Sequence, residues 1–192
     1  MSMPRPRIVA FAGSLRKASY NRRLLPYAAD GAREAGADVE EVGPEALALP
    51  LYDGDLEVDG RFPEPVERWR QTIRRCDGLL IASPEYNHGM SGVLKNAIDW
   101  ASRPPNAFSG KVAASFGASP GAQGTARSQM NVRQCLGALN VWVVPRTVLV
   151  AHARDAFEGD ALRDQRQAQS LTALGRMVVE AVGTGIGRLV AP

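Results

Sequence analysis

The sequence predicts an α/β fold, a five-stranded parallel sheet with helices on both faces. Three observations lead there. Short apolar runs alternate with amphipathic stretches in the order βαβαβαβαβα, the pattern of a parallel sheet with crossover helices. The runs at 77–82 and 111–116 are apolar nearly throughout, as strands buried on both faces are. Polar loops rich in small residues follow the first, third and fourth strands, at the carboxyl ends where open α/β sheets bind ligands.

Length and composition agree. A chain of 192 residues suits one domain spanning 1–192, and 45% hydrophobic residues suffice for a full core. No apolar run approaches the roughly 18 residues that span a bilayer, so no membrane partner is expected. Residues 1–7 hold no apolar signal region and lead directly into a strand, so the expected location is cytoplasmic. Cys76 and Cys135 lie far apart without Cys-x-x-Cys spacing and read as reduced, buried thiols. The net charge of +3 is mild and the arginines are scattered, so no nucleic-acid partner is expected.

Taken in order, residues 7–12 form the first strand. A helix follows to about Ala35, with Gly36 as its stop. Residues 37–42 alternate apolar and polar, as an edge or second strand would. The stretch 47–57 is a loop with several apolar residues and no evident core face, either a contact surface or packing within its own domain. Residues 65–75 read as a helix, with Val66, Trp69 and Ile73 spaced to share a face. After the third strand come a polar loop at 83–92 and a helix at 93–101, whose inward face is Leu94, Ala97, Ile98 and Ala101. Lys95 and Asp99 form a solvated i,i+4 pair on its outside. The fourth strand, 111–116, runs into a loop at 117–125 and a helix through about Leu139. The fifth strand lies within 140–150, interrupted by Pro145, and a long final helix covers 162–182.

The first loop is neither G-x-G-x-x-G nor a P-loop. It offers hydroxyls at Ser14 and Ser19, an amide at Asn21 and a cation at Arg16, all just before a helix N-terminus. Free N–H groups and the helix dipole favour an anion there, and a terminal phosphate monoester suits the set. Simple capping by Ser19 or Asn21 is the plainer alternative and explains one group, not all. The loop after the third strand holds Pro84, Glu85, Tyr86 and Asn87, which suit a planar, polar-edged ligand; it could also be an ordinary connector. In a flavodoxin-like strand order, 2-1-3-4-5, these two loops flank the switch point where FMN binds.

The segments Gly13 to Asn21, Pro84 to Asn87 and Leu94 to Trp100 together resemble the NADPH-dependent FMN reductase family, over roughly residues 7 to 180. That family includes flavin, quinone, chromate and azo-dye reductases. The resemblance implies that Ser14, Arg16, Ser19 and Asn21 hold the FMN phosphate and that Pro84, Glu85, Tyr86 and Asn87 line its ring. It also implies that Ser115, Gly117 and the loop to Gly124 approach the ring's pyrimidine side. A ping-pong hydride transfer from NADPH or NADH through FMN to a small-molecule electron acceptor would follow, with no catalytic triad and no metal. The implied assembly is a homodimer, or a tetramer built on it. Where the family commonly has proline, this chain has Ser91, which can cap the following helix instead.

Two other classes compete. A flavodoxin-type electron carrier is the main alternative, but such carriers tend to be acidic, whereas the isoelectric point here is about 9.1. A flavin-free dimeric interaction protein on the same fold is the second.

Overall fold

The order of buried strands is what positions everything else. A computed structural model describes residues 4–189. Strand β1 (Arg7–Ala12) leads to α1 (Tyr20–Glu34) and β2 (Asp38–Val42). Two 3-10 turns follow, then α2 (Glu64–Arg75) and β3 (Gly78–Ala82). The two-residue strands β4 (Glu85–Tyr86) and β5 (Gly89–Met90) form a small hairpin before α3 (Gly92–Ser102). Then come β6 (Val112–Ala118), α4 (Ala126–Ala138), β7 (Trp142–Val143) and β8 (Leu149–Val150). A second hairpin, β9 (Phe157–Glu158) with β10 (Ala161–Leu162), precedes α5 (Gln165–Gly183).

The main sheet runs β2-β1-β3-β6-β7, all parallel, so its main strands in chain order stand 2-1-3-4-5. The fifth position is shared. β7 pairs with the start of β6 and β8 with its end, Val112 opposite Trp142 and Gly117 opposite Leu149. Pro145 lies in the gap, where its missing N–H and fixed φ interrupt a ladder.

Side chains alternate across the sheet into two cores. Ile8, Ala10 and Ala12 face α1 and α5, whereas Val9 and Phe11 face α2 and α3. α1 and α5 approach closely through two glycines: a Cβ on Gly31 would lie 1.9 Å from the carbonyl oxygen of Thr172, and one on Gly175 1.9 Å from that of Ala28. Val66, Trp69 and Ile73 are all buried, as are Leu94, Ala97, Ile98 and Ala101. Lys95 and Asp99 pair on the outside at 2.7 Å. No helix among the described residues is long and apolar enough to cross a membrane. Both cysteines are free; burial pushes the Cys76 thiol up to about 11.

The apolar loop before α2 is pinned to α3. The carbonyl of Pro50 accepts bonds from Asn96 Nδ2 and Trp100 Nε1, both at 2.8 Å, and the Tyr52 N–H donates to Asn96 Oδ1. Leu47 is buried, yet Leu51 and Val58 remain 82% and 60% exposed.

Ser91 is the N-cap of α3, accepting a bond from the Leu94 N–H at 3.2 Å. Its hydroxyl also donates to the Gly13 carbonyl at 2.6 Å, joining α3 to the loop after β1. Ser91→Ala removes a cap and leaves a buried carbonyl without its partner, so it should destabilise the fold by about 1–3 kcal/mol in urea titration. An unchanged midpoint would mean that neither bond contributes.

Candidate active-site cleft

Three loops meet at the carboxyl edge of the sheet. Their starts are stitched by backbone bonds, from the Gly13 N–H to the Ala82 carbonyl (2.9 Å) and from the Ser83 N–H to the Phe116 carbonyl (2.8 Å). Between them lies a cleft. Ser14, Arg16, Ser19, Tyr20 and Asn21 form one wall, Pro84, Glu85 and Tyr86 a second, and Ala118, Ser119 and Pro120 a third.

The first wall divides into committed and uncommitted groups. Asn21 is committed: Nδ2 donates to the Ala118 carbonyl (3.0 Å) and Oδ1 accepts from the Ala118 N–H (2.9 Å), which ties α1 to the end of β6. One amide hydrogen is left over. Ser14 is buried and accepts a long bond from the Arg16 N–H at 3.4 Å. Ser19 occupies the N-cap position of α1 at 4% exposure but makes no side-chain cap bond. Arg16 is exposed, and no carboxylate among the described residues pairs with it.

The second wall is the β4–β5 hairpin. Its turn residues, Asn87 and His88, have φ of 50° and 64°, the geometry of a tight type I′ turn. Asn87 therefore sits at the hairpin tip and does not line the cleft. The Glu85 carboxylate faces the opening of α4. Its Oε2 accepts the N–H groups of Arg127 (2.9 Å) and Ser128 (3.1 Å), whereas α4's own N-cap residue, Thr125, makes no side-chain cap bond. Glu85 is thus a helix cap contributed across more than forty residues of chain. The Ser128 hydroxyl, buried, donates to the Pro84 carbonyl at 2.8 Å and lies 2.7 Å from Ser83 Oγ. His88 Nδ1 stands 3.1 Å from Arg127 Nη1 at the exposed rim.

On the third wall, Ser115 and Gly117 sit inside β6 and do not line the cleft; Ala118, Ser119 and Pro120 do. Gly117 is required by packing, since a Cβ there would lie 2.2 Å from the Ser83 carbonyl oxygen and 2.6 Å from Thr125 Oγ1. Sequence reasoning missed Tyr20, which lines the cleft while its ring stacks on Phe157 at 5.8 Å. It also missed the roles of Thr125, Ser128 and Gln129, which form a buried polar layer beneath the hairpin. No local pattern marks these groups, because their partners are distant in sequence.

A parallel sheet in this order, with a ligand cleft where β1 and β3 diverge, defines a flavodoxin-like protein. The chain belongs to the NADPH-dependent FMN reductase family, whose model matches residues 6–155. It is 45% identical over 175 residues to a NAD(P)H-dependent FMN reductase of Pseudomonas aeruginosa, covering 86% of this chain and 92% of that one. It is 39% identical over 179 residues to a NAD(P)H:quinone oxidoreductase of Solanum tuberosum, covering 90% and 91%. Among solved structures, the flavoenzyme NAD(P)H:(acceptor) oxidoreductase of Paracoccus denitrificans superposes with a TM-score of 0.79 at 31% identity, covering 93% of this chain and 98% of that one. The chain is accordingly an oxidoreductase with FMN as cofactor and NAD(P)H as co-substrate.

Ser128→Ala tests the attachment of the hairpin. It removes one of two hydroxyl donors to the Pro84 carbonyl, which keeps only the 3.1 Å bond from Ser83, at a cost of about 0.5–1.5 kcal/mol. Denaturant unfolding should register that loss, and amide exchange should quicken first at 84–90; a loss spread evenly over the sheet would contradict a local staple.

Proposed function

We propose that this chain binds FMN in the cleft and passes two electrons from NAD(P)H to a small acceptor, a quinone or a free flavin in the first instance. The observation that supports this most is the uncommitted donor set at the start of α1. A buried hydroxyl without a cap bond, a guanidinium without a carboxylate and a helix N-terminus with no acidic residue in its first turn all suit a phosphate. Opposite them, Pro84 and the 47% exposed Tyr86 offer a flat apolar surface for a ring.

In this reading Ser14, Arg16 and Ser19 hold the phosphate, with Asn21 fixing the wall they stand on. Pro84 and Tyr86 border the ring; Glu85 holds their hairpin against α4. FMN, when bound, supplies the hydride chemistry; the protein supplies position and electrostatics. Asn87, Ser115 and Gly117 act through the backbone they shape. The reading also takes the protein as cytoplasmic, consistent with its two free thiols.

The test is an absorption spectrum of FMN-loaded protein. NADPH added without oxygen should bleach the flavin bands and a quinone should restore them; failure of both nicotinamides to bleach it would defeat the enzyme reading. Arg16→Ala should weaken FMN binding by about 1.5–3 kcal/mol, read by fluorescence titration of the apoprotein. Unaltered affinity would remove Arg16 from the site.

We further propose a homodimer. Leu51, Tyr52, Leu56 and Val58 are 82%, 38%, 42% and 60% exposed on a loop that Asn96 and Trp100 hold in place, so the patch is both apolar and preformed. Sedimentation at micromolar concentration should give about twice the chain mass, and Leu51→Asp should shift it toward one. A monomeric wild type would end this proposal.

A further inference from the structure

The β9–β10 hairpin takes no part in the proposed FMN site, yet the segment that carries it runs between two walls of the cleft. At its start the segment is tied to the third wall. The Ser119 N–H donates to the Val150 carbonyl and the Ala153 N–H to the Ser119 carbonyl, both at 3.0 Å. At its end it is tied to α1, the helix that follows the first wall. The Gly159 carbonyl accepts from Arg23 Nη1 at 3.1 Å, and the Asp160 carboxylate lies 3.2 Å from Arg23 Nε. The Leu162 N–H donates to the Tyr27 hydroxyl at 2.8 Å.

The hairpin's own pairing is too small to hold it. Each strand has two residues, joined by Gly159 at a φ of 58° and Asp160, which makes a tight turn and not an independent sheet. It is held by one face of α1, where Tyr20, Arg23 and Tyr27 stand at i, i+3 and i+7. Phe157, 7% exposed, stacks on the Tyr20 ring at 5.8 Å with the planes 17° apart. The Arg23 guanidinium lies 5.8 Å from the centre of the Tyr20 ring and 5.6 Å from that of Phe157. Two side chains thus close on one ring, and that ring borders the cleft. Asn21 fixes the α1 backbone beside it, through both backbone groups of Ala118. The direction of the Tyr20 ring is set by Phe157 and Arg23.

We propose that the β9–β10 hairpin is a clasp for the cofactor cleft, and that Phe157 and Arg23 are positioning residues for FMN because they hold the Tyr20 ring as part of the first wall. The inference rests on the reading that FMN lies in this cleft, and it adds a determinant outside the three loops that form it. Preorganisation is the physical reason. A side chain held before the ligand arrives loses little further freedom on binding, whereas a loose one must be ordered at that moment and affinity falls accordingly. The segment also joins the first wall to the third a second time, beyond the Asn21–Ala118 pair.

Fluorescence titration of the apoprotein with FMN tests the clasp. Phe157→Leu keeps an apolar residue and loses the stacked ring, so the FMN dissociation constant should rise about fivefold, the scale of one aromatic pair. Phe157→Tyr keeps the ring and should stay within about twofold of wild type. Gly159→Val changes neither charge nor core. A Cβ there meets no neighbour, but the positive φ strains the turn, so affinity should fall here too. Glu158→Ala, on the exposed side of the same hairpin, should bind FMN as wild type does. The losses in Phe157→Leu and Tyr20→Leu should not add in the double variant, because both act on one ring. A lower unfolding midpoint in Phe157→Leu with unaltered FMN affinity would make Phe157 a core residue only and overturn the proposal, as would losses that add. If Arg16→Ala weakens FMN binding while Phe157→Leu and Gly159→Val do not, the clasp alone falls. If all three bind FMN as wild type does, the cleft reading falls with it.

Discussion

At the carboxyl edge of a parallel sheet, backbone groups run out of strand partners, and buried ones must find others or cost free energy. In this protein the loops satisfy one another. Asn21 on α1 pairs with both backbone groups of Ala118 at the end of β6. Ser91 at the start of α3 reaches the Gly13 carbonyl after β1. Ser128 on α4 reaches the Pro84 carbonyl after β3, and Glu85 returns the favour by capping α4. Each bond crosses from one loop to the helix or strand of another. The cleft is therefore one connected object, and its walls cannot move independently without breaking a buried hydrogen bond.

That connectivity separates scaffold from binding groups. A side chain already holding two backbone partners contributes position, and Asn21 and Glu85 are of this kind. A side chain near the opening with no internal partner is available, and Ser19 and Arg16 are of that kind. The same division explains how Ser91 can stand where the family commonly has proline. Proline would fix φ before α3; Ser91 already has a φ of −64° and adds two hydrogen bonds that proline could not make.

The strands and the buried faces of the helices were legible because burial imposes periodicities that a sequence displays directly, whereas the strand order followed from the ligand-type loops after the first and third strands. Gly78–Ala82 reads as a central strand from its composition alone, and Val66, Trp69 and Ile73 declare a face by spacing alone. The three loops could be located because each follows such a strand. Their internal arrangement could not. The β4–β5 hairpin turns at Asn87-His88, with glycine one place later than the usual Asn-Gly signal. Glu85 looks like a ligand group in sequence, since the helix it caps begins more than forty residues on. Gly117 looks like room for a ligand, and the structure instead fills that room with Ser83, Thr125 and Gln129.

The helix starts, compared with one another, sharpen the argument about charge. α5 opens with Asp164, whose carboxylate accepts the N–H groups of Arg166 and Gln167. α3 opens with Ser91, and α2 carries Glu64 and Glu67 in its first turn. α4 borrows Glu85. Each of these four ends has an oxygen acceptor or a negative charge where the dipole calls for one. α1 has no acidic residue there and its N-cap Ser19 makes no cap bond, and it places Arg22 and Arg23 in its first turn instead. Local rules are broken most often where function requires it. Here the breach has a sign: the group that would complete the start of α1 is an anion. Arg16 and Ser19 both line the cleft, at that positive end. A cofactor phosphate in the cleft would supply that anion and complete the helix start that the sequence leaves open.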